Sequence, residues 1–134
     1  MDKAVTEYFA GIVALARSAF KQVEATVDAT PERAILRMQA LYGVHRVSVS
    51  ELLSAGVRKY RYYVLRGDFV VAGFDNSPDP RAIRQKYGRI DKNTVGQLIP
   101  HLHLNDKTEL TLTAEMDFES FIAWLKVNVP PDDW

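Results

Sequence analysis

VRKYRYYVLRGDFVVAGFD, residues 57–75, holds two apolar runs joined by Arg66-Gly67-Asp68. In the first run Tyr60, Tyr62 and Val64 alternate with Lys59, Arg61, Tyr63 and Leu65, the two-residue period of a strand with one buried and one wet face. The second, Phe69-Val70-Val71-Ala72-Gly73-Phe74, is apolar on both faces, as in an interior strand covered on both sides. A short glycine-containing link between two such runs predicts a hairpin. Working outward, Gly43 and Gly56 mark off two further runs rich in Val, Ile and Tyr. The four segments 33–42, 44–53, 57–66 and 68–75 therefore read as an antiparallel meander. Residues 34–42 also suit a helix by propensity; within this series they are read as a strand.

The flanks have a different texture. Val5, Phe9, Ile12, Val13, Ala16, Phe20 and Val23 recur at intervals of three and four, which predicts one helix over about residues 3–27, closed by Thr30-Pro31. After the meander, Pro80 suits a first helical position, Arg81 to Tyr87 continues, Gly88 stops it, and residues to 98 read as loop. Leu110-Thr111-Leu112-Thr113 predicts a short strand. Asp117 predicts the cap of a last helix carrying Phe118, Phe121, Ile122 and Leu125, ending before Pro130-Pro131. The expectation is a single α+β domain over 1–134: N-terminal helix, four-stranded antiparallel meander, helical insertion, short strand, C-terminal helix. The N-terminal helix would cover one sheet face, and the C-terminal helix would share it or cover the other.

A chain of 134 residues buries roughly two thirds of its unfolded surface, and 47% hydrophobic with 25% charged residues is an ordinary globular balance. With no cysteine, disulfides, thiolate nucleophiles and cysteine-based metal sites are excluded. The N-terminus, with Asp2 and Glu7 in an amphipathic pattern, does not read as a signal peptide, and no run has the length of a membrane span. A cytoplasmic protein without a membrane partner is expected. The formal net charge is zero, yet residues 31–92 hold twelve Lys/Arg against six Asp/Glu. A basic middle suits a phosphate backbone or an acidic protein, and equally a solvated surface. No phosphate-cradling glycine loop with Lys, no His-Glu zinc helix motif and no Gly-x-Ser-x-Gly elbow occurs.

Asp75-Asn76-Ser77-Pro78-Asp79 ends a central strand, where the sheet would hold polar side chains rigidly. The same residues are favoured in turns, and Ser77 or Asp79 can cap the helix at Pro80. If His101-Leu102-His103 is extended, both imidazoles project from one face. They then suit acid or base work or a phosphate contact. With Asp106 or Asp75 they suit a two-histidine, one-carboxylate metal site. Lys59, Arg61 and Tyr63 share a strand face, with Arg37 or Arg46 as neighbours; aromatics that stack bases beside cations that hold phosphates suit RNA. Arg81, Arg84, Lys86, Arg89 and Lys92 extend that charge or are simply solvated.

Taken in order, Tyr60-Arg61-Tyr62-Tyr63, the apolar strand ending Phe74-Asp75-Asn76-Ser77-Pro78, and Pro100-His101-Leu102-His103 resemble the signature of the TumE-type toxin family of toxin-antitoxin modules. The resemblance covers roughly residues 33–127, and Phe74 to Pro78 is its most specific element. It implies a small cytoplasmic protein encoded beside, and neutralised by, a cognate antitoxin that often carries a DNA-binding domain. The corresponding expectation is a ribonuclease that needs neither metal nor other cofactor. His101 or His103 would act as general base or acid, Arg61 with Lys59 would stabilise the phosphorane, Tyr63 would contact RNA, and Asp75 and Asn76 would orient a histidine or the substrate. A non-enzymatic protein- or nucleic-acid-binding module is the rival reading, and a divalent-metal hydrolase the third. Trp124 and Trp134 are candidates for burial in a homodimer or an antitoxin contact.

Overall fold

A computed structural model describes residues 2–132. Among them the chain forms α1 (Lys3–Ala19), β1 (Lys21–Ala29), β2 (Arg33–Tyr42), β3 (His45–Ser54), β4 (Val57–Arg66), β5 (Phe69–Asp75), α2 (Pro80–Tyr87), β6 (His101–Leu104), β7 (Glu109–Leu112) and α3 (Phe118–Asn128). All seven strands lie in one antiparallel sheet, in sequence order.

The four expected strands are β2 to β5, and the α+β class stands, but the sheet has seven strands rather than a four-stranded core with one short addition. The largest correction is at the N-terminus. The helix expected over 3–27 ends at Ala19, where Phe20 turns extended and drives its ring edge-on against Tyr42 and Phe118. Residues 21–29 then pair along β2 as an edge strand. Val23 and Val27 stand four apart, which satisfies a helix, and they also alternate with Ala25, which satisfies a strand. The free edge of β2 supplies partners for the backbone and settles the ambiguity. Thr30 and Pro31 close the β1–β2 hairpin instead of a helix, with the Thr30 N–H donating to the Arg33 carbonyl at 2.8 Å. The β3–β4 link takes left-handed φ at both central residues, Ala55 at 51° and Gly56 at 75°, as a tight two-residue hairpin turn requires.

Both long helices cover one face. Phe9, Ile12 and Ala16 of α1 and Phe118, Phe121 and Leu125 of α3 share a core with Leu36, Met38, Val49, Tyr60, Tyr62 and Phe74 from the strands. Each fully buried aromatic side chain here contributes about 1.5–3 kcal/mol. Trp124 packs edge-on against Phe74 with ring centres 5.0 Å apart and is partly buried against this core. Trp134 lies outside the described residues. On the opposite face, α2 places Ala82 and Ile83 on Ile99, Leu110 and Leu112 over the β6–β7 end. Asp79 caps α2 and Asp117 caps α3, each accepting a backbone N–H within the first turn. No helix among the described residues is long and apolar enough to cross a membrane.

On the helix-covered face a buried acid anchors a polar network. Glu51 accepts from the phenols of Tyr8 at 2.6 Å and Tyr62 at 2.5 Å, and Arg58 stands 3.4 Å away. Arg58 also donates to the Met116 carbonyl at 2.6 Å, tying β4 to the segment before α3. Burying that carboxylate is tolerable because each of its oxygens has a partner.

Candidate functional site

The strand register builds the site. Arg61 of β4 pairs with Asp75 of β5, which pairs with His101 of β6. One step along, Tyr63 pairs with Gly73, which pairs with His103. Because side chains on paired strands share a face, these six positions form a grid on the side away from α1 and α3. Their alternating neighbours Tyr62, Phe74 and Leu102 point into the aromatic core. Every residue of the grid is thus positioned by an apolar one beside it.

Gly73 is a steric necessity: a Cβ there would stand 2.9 Å from Cζ of Tyr63. Without it the Tyr63 ring lies across β5 and its phenol donates to Asp75 Oδ2 at 3.1 Å. Arg61 Nε lies 3.3 Å from the same oxygen, and the Ser77 N–H donates to Oδ1 at 2.7 Å. Burial would raise the Asp75 carboxyl, but the Ser77 hydrogen bond and the Arg61 charge outweigh it and hold the group below its usual value.

The two imidazoles meet edge to face. Their Nε2 atoms are 3.1 Å apart, and His101 Nδ1 is 2.7 Å from the Ile99 carbonyl. A carbonyl only accepts, so His101 carries its hydrogen on Nδ1 and its lone pair on Nε2. His103 then donates from Nε2 into that lone pair, and its Nδ1 accepts a long bond from Arg81 Nη2 at 3.5 Å. The chain from Arg81 through His103 and His101 to Ile99 is closed with both rings neutral. Burial first, then the repulsion that a second proton would meet from His101 whenever that ring is charged and from Lys107, push His103 down to about 4. The histidines are only 1% and 3% exposed, and Asp75 5%.

Around this cluster the face is open and basic. Arg46, Ser48, Ser50, Arg61, Tyr63 and Leu65 line a shallow cleft of about 210 Å³. Arg37 pairs with Ser50, which pairs with Arg61, so the row of the site continues across the sheet. Arg61 and Lys107 both hold their charges against the Tyr63 ring, 5.0 and 5.1 Å from its centre. A larger hollow of about 710 Å³ lies between the start of α1 and the turns around Pro31 and Gly56, and none of the site residues lines it.

Of the residues singled out in the sequence, Asp75, His101, His103, Arg61 and Tyr63 come together. Lys59 is exposed on the same face, one alternation beyond Arg61. Asn76 does not join them. Its amide oxygen accepts from the Tyr60 N–H and its nitrogen donates to the Arg58 carbonyl, both at 2.9 Å, so it extends the β4–β5 ladder and orients no histidine. Asp106, the alternative carboxylate, instead accepts the Val70 N–H at 3.0 Å. Arg81, read in the sequence only as an extension of the basic charge or as a solvated cation, stands beside His103, while Lys107 over Tyr63 and Gly73 beneath that ring escaped the sequence reading. Arg81 Nη1 also donates to the Lys107 carbonyl at 2.6 Å, joining the start of α2 to the β6–β7 turn. That turn runs Asn105, Asp106 and Lys107 through left-handed φ of 51°, 57° and 67°, a conformation to which Asn and Asp are suited and Lys is not. No family model, curated protein or solved structure matches this chain.

Proposed function

We propose that the protein is the toxin of a toxin-antitoxin pair and cleaves RNA by acid–base chemistry at Asp75, His101 and His103, without a cofactor. The observation that supports this best is the pair of Nε2 atoms 3.1 Å apart, flanked by a buried carboxylate and bordered by Arg61 and Arg81. RNA would lie along the row from Arg37 to Arg61, with a base or ribose against Tyr63. Arg61 and Arg81 side chains remain about half exposed, at 53% and 44%, and border the cluster, Arg61 at Asp75 and Arg81 at His103. A phosphate that draws both guanidiniums to itself frees His103 to turn away from His101 Nε2 and holds the developing phosphorane charge. The His101 Nε2 lone pair accepts the ribose 2′-hydroxyl proton as the 2′-oxygen bonds to phosphorus. The pair returns that proton to the 5′-oxygen as the P–O5′ bond breaks. The resemblance to TumE-type toxins supplies the antitoxin part of the reading.

The closed hydrogen-bond chain favours a second reading, in which the cluster only fixes β6 and the basic face binds RNA or an acidic protein without turnover. Inducing the wild type beside a His101→Ala/His103→Ala double variant, with total RNA run from each culture, separates the two. Growth arrest with RNA loss that disappears in the soluble double variant supports cleavage at the histidines. Intact RNA in both cultures, or RNA loss that survives in the double variant, overturns it.

A further inference from the structure

We propose that Asp75, His101 and His103 also form a binding site for one first-row divalent cation of the zinc or cobalt type. One ligand atom from each lies within 4.8 Å of the others, and all three residues are buried. Two imidazole nitrogens bound to one zinc ion, each about 2.05 Å away at a tetrahedral angle, stand about 3.3 Å apart. The observed 3.1 Å between the Nε2 atoms is close to that span. The Nε2 separation therefore needs to open by only a small fraction of an ångström; for both Nε2 lone pairs to share an ion, His103 also passes its hydrogen from Nε2 to Nδ1 as Arg81 withdraws and the rings turn toward a common point.

The surroundings supply what such ligands need. A metal-bound imidazole holds its other nitrogen's hydrogen on an acceptor, and His101 Nδ1 already donates to the Ile99 carbonyl at 2.7 Å. Asp75 is held by the Ser77 N–H at 2.7 Å, which fixes the carboxylate before an ion arrives. Two nitrogens and one oxygen select zinc, cobalt or nickel over magnesium and calcium, which prefer all-oxygen sites. The cost falls on Arg81, Arg61 and Lys107, whose charges border the site. Arg81 has Asp79 as an alternative partner, 3.5 Å from its Nη2, so it can leave His103 without losing all partners.

The regulatory consequence rests on the acid–base reading of the same cluster. A neutral imidazole has one lone pair, and that of His101 is at Nε2 because Nδ1 is committed to Ile99. An ion at Nε2 occupies the electron pair that would accept the 2′-hydroxyl proton. Cation binding and RNA cleavage are therefore mutually exclusive, and the ion acts as an inhibitor.

The test uses the full chain, freed of metal by a chelator and checked for its fold by circular dichroism. Titration with Co²⁺, followed by visible absorption, should saturate at one ion per chain, be reversed by Zn²⁺ and be unaffected by Mg²⁺. Proton NMR needs no variant: Zn²⁺ should move the ring signals of His101 and His103, while those of His45, the third histidine of the chain, stay in place. Loss of a group that only hydrogen-bonds to a metal ligand already weakens metal sites about 10–100-fold, so Asp75→Asn and His101→Gln should each weaken Co²⁺ binding by more than about 100-fold. No saturable binding by the folded wild type, or shifts at His45 alone, overturns the site. RNA cleavage that rises with added Zn²⁺ overturns its inhibitory role. Saturable binding by a protein that cleaves no RNA even when metal-free upholds the cation site and removes the acid–base reading instead.

Discussion

The Tyr63 ring rests on the bare backbone of Gly73, 2.9 Å from where a Cβ would stand, and from there reaches Asp75. Gly73→Ala should therefore displace the ring and cost about 1–3 kcal/mol, the usual range for overpacking. Urea unfolding would measure it. In a Tyr63→Ala background the same substitution should cost far less, since the clash has lost one partner. An equal cost in both backgrounds would refute the steric account.

Glu51 predicts a loss of stability that leaves the opposite face intact. Glu51→Ala removes the acceptor of the buried Tyr62 phenol and of the part-exposed Tyr8 and one of the two carboxylates beside Arg58, and should destabilise by about 3 kcal/mol, against about 1–2 kcal/mol for Tyr62→Phe. RNA binding by a Tyr62→Phe protein, measured well below its melting point, should match wild type. Weaker binding would mean that the two faces are coupled.

The caps predict an acid-sensitive helix. A bond from the Ser120 N–H holds the Asp117 carboxyl below its ordinary value of 3.8. A depressed carboxylate stabilises above its unfolded value, and that stability is lost as pH falls through the folded one. Asp117→Asn keeps an acceptor without a titrating group, so wild type should lose its advantage over this variant below about pH 4, whereas Asp117→Ala should cost about 1 kcal/mol already at neutral pH. Chemical denaturation from pH 3 to 7 would check this. A pH-independent difference between wild type and Asp117→Asn would contradict it.

The basic face predicts a salt signature. If RNA follows the row from Arg37 to Arg61, removing either charge should weaken binding and reduce the slope of log affinity against log salt by about 0.7 for single-stranded RNA. Charge reversal at Lys59 and Arg61 should weaken it further. A slope that ignores all three positions would place RNA elsewhere.

The meander was legible because alternation and glycine turns agree from residue 33 to 75; the Asp117 cap was visible before an apolar stripe and Asp79 as one of two candidates beside Ser77, whereas the Asp2 cap of α1 was not read. β1 was not, because Val23 and Val27 satisfy both periods and only the open edge of β2 decides between them. At the site, the His-x-His pair and Asp75 could be read, but their meeting depends on the register of β5 against β6, which links residues far apart in sequence. Asn76 looked like an active-site amide because its side chain carries the same groups as a peptide, and the fold uses it as one. Arg81 and Lys107 reach the cluster through a helix start and a left-handed turn, and no spacing in the chain announces either. Glu51 did carry a signal: it interrupts the inward alternation of Val47, Val49 and Leu53, as a buried acid must.

The order of the strands has a consequence for how the protein comes into being. Each neighbour in the sheet is also the next strand in the chain, so pairing can follow the ribosome from β1 onward. A nascent chain halted before residue 101 carries the arginine row and Asp75 but neither imidazole of the pair. The Asp75, His101 and His103 constellation exists only after β6 has emerged and docked, so under the proposed function a product interrupted before residue 101 would hold RNA but lack the groups to cut it.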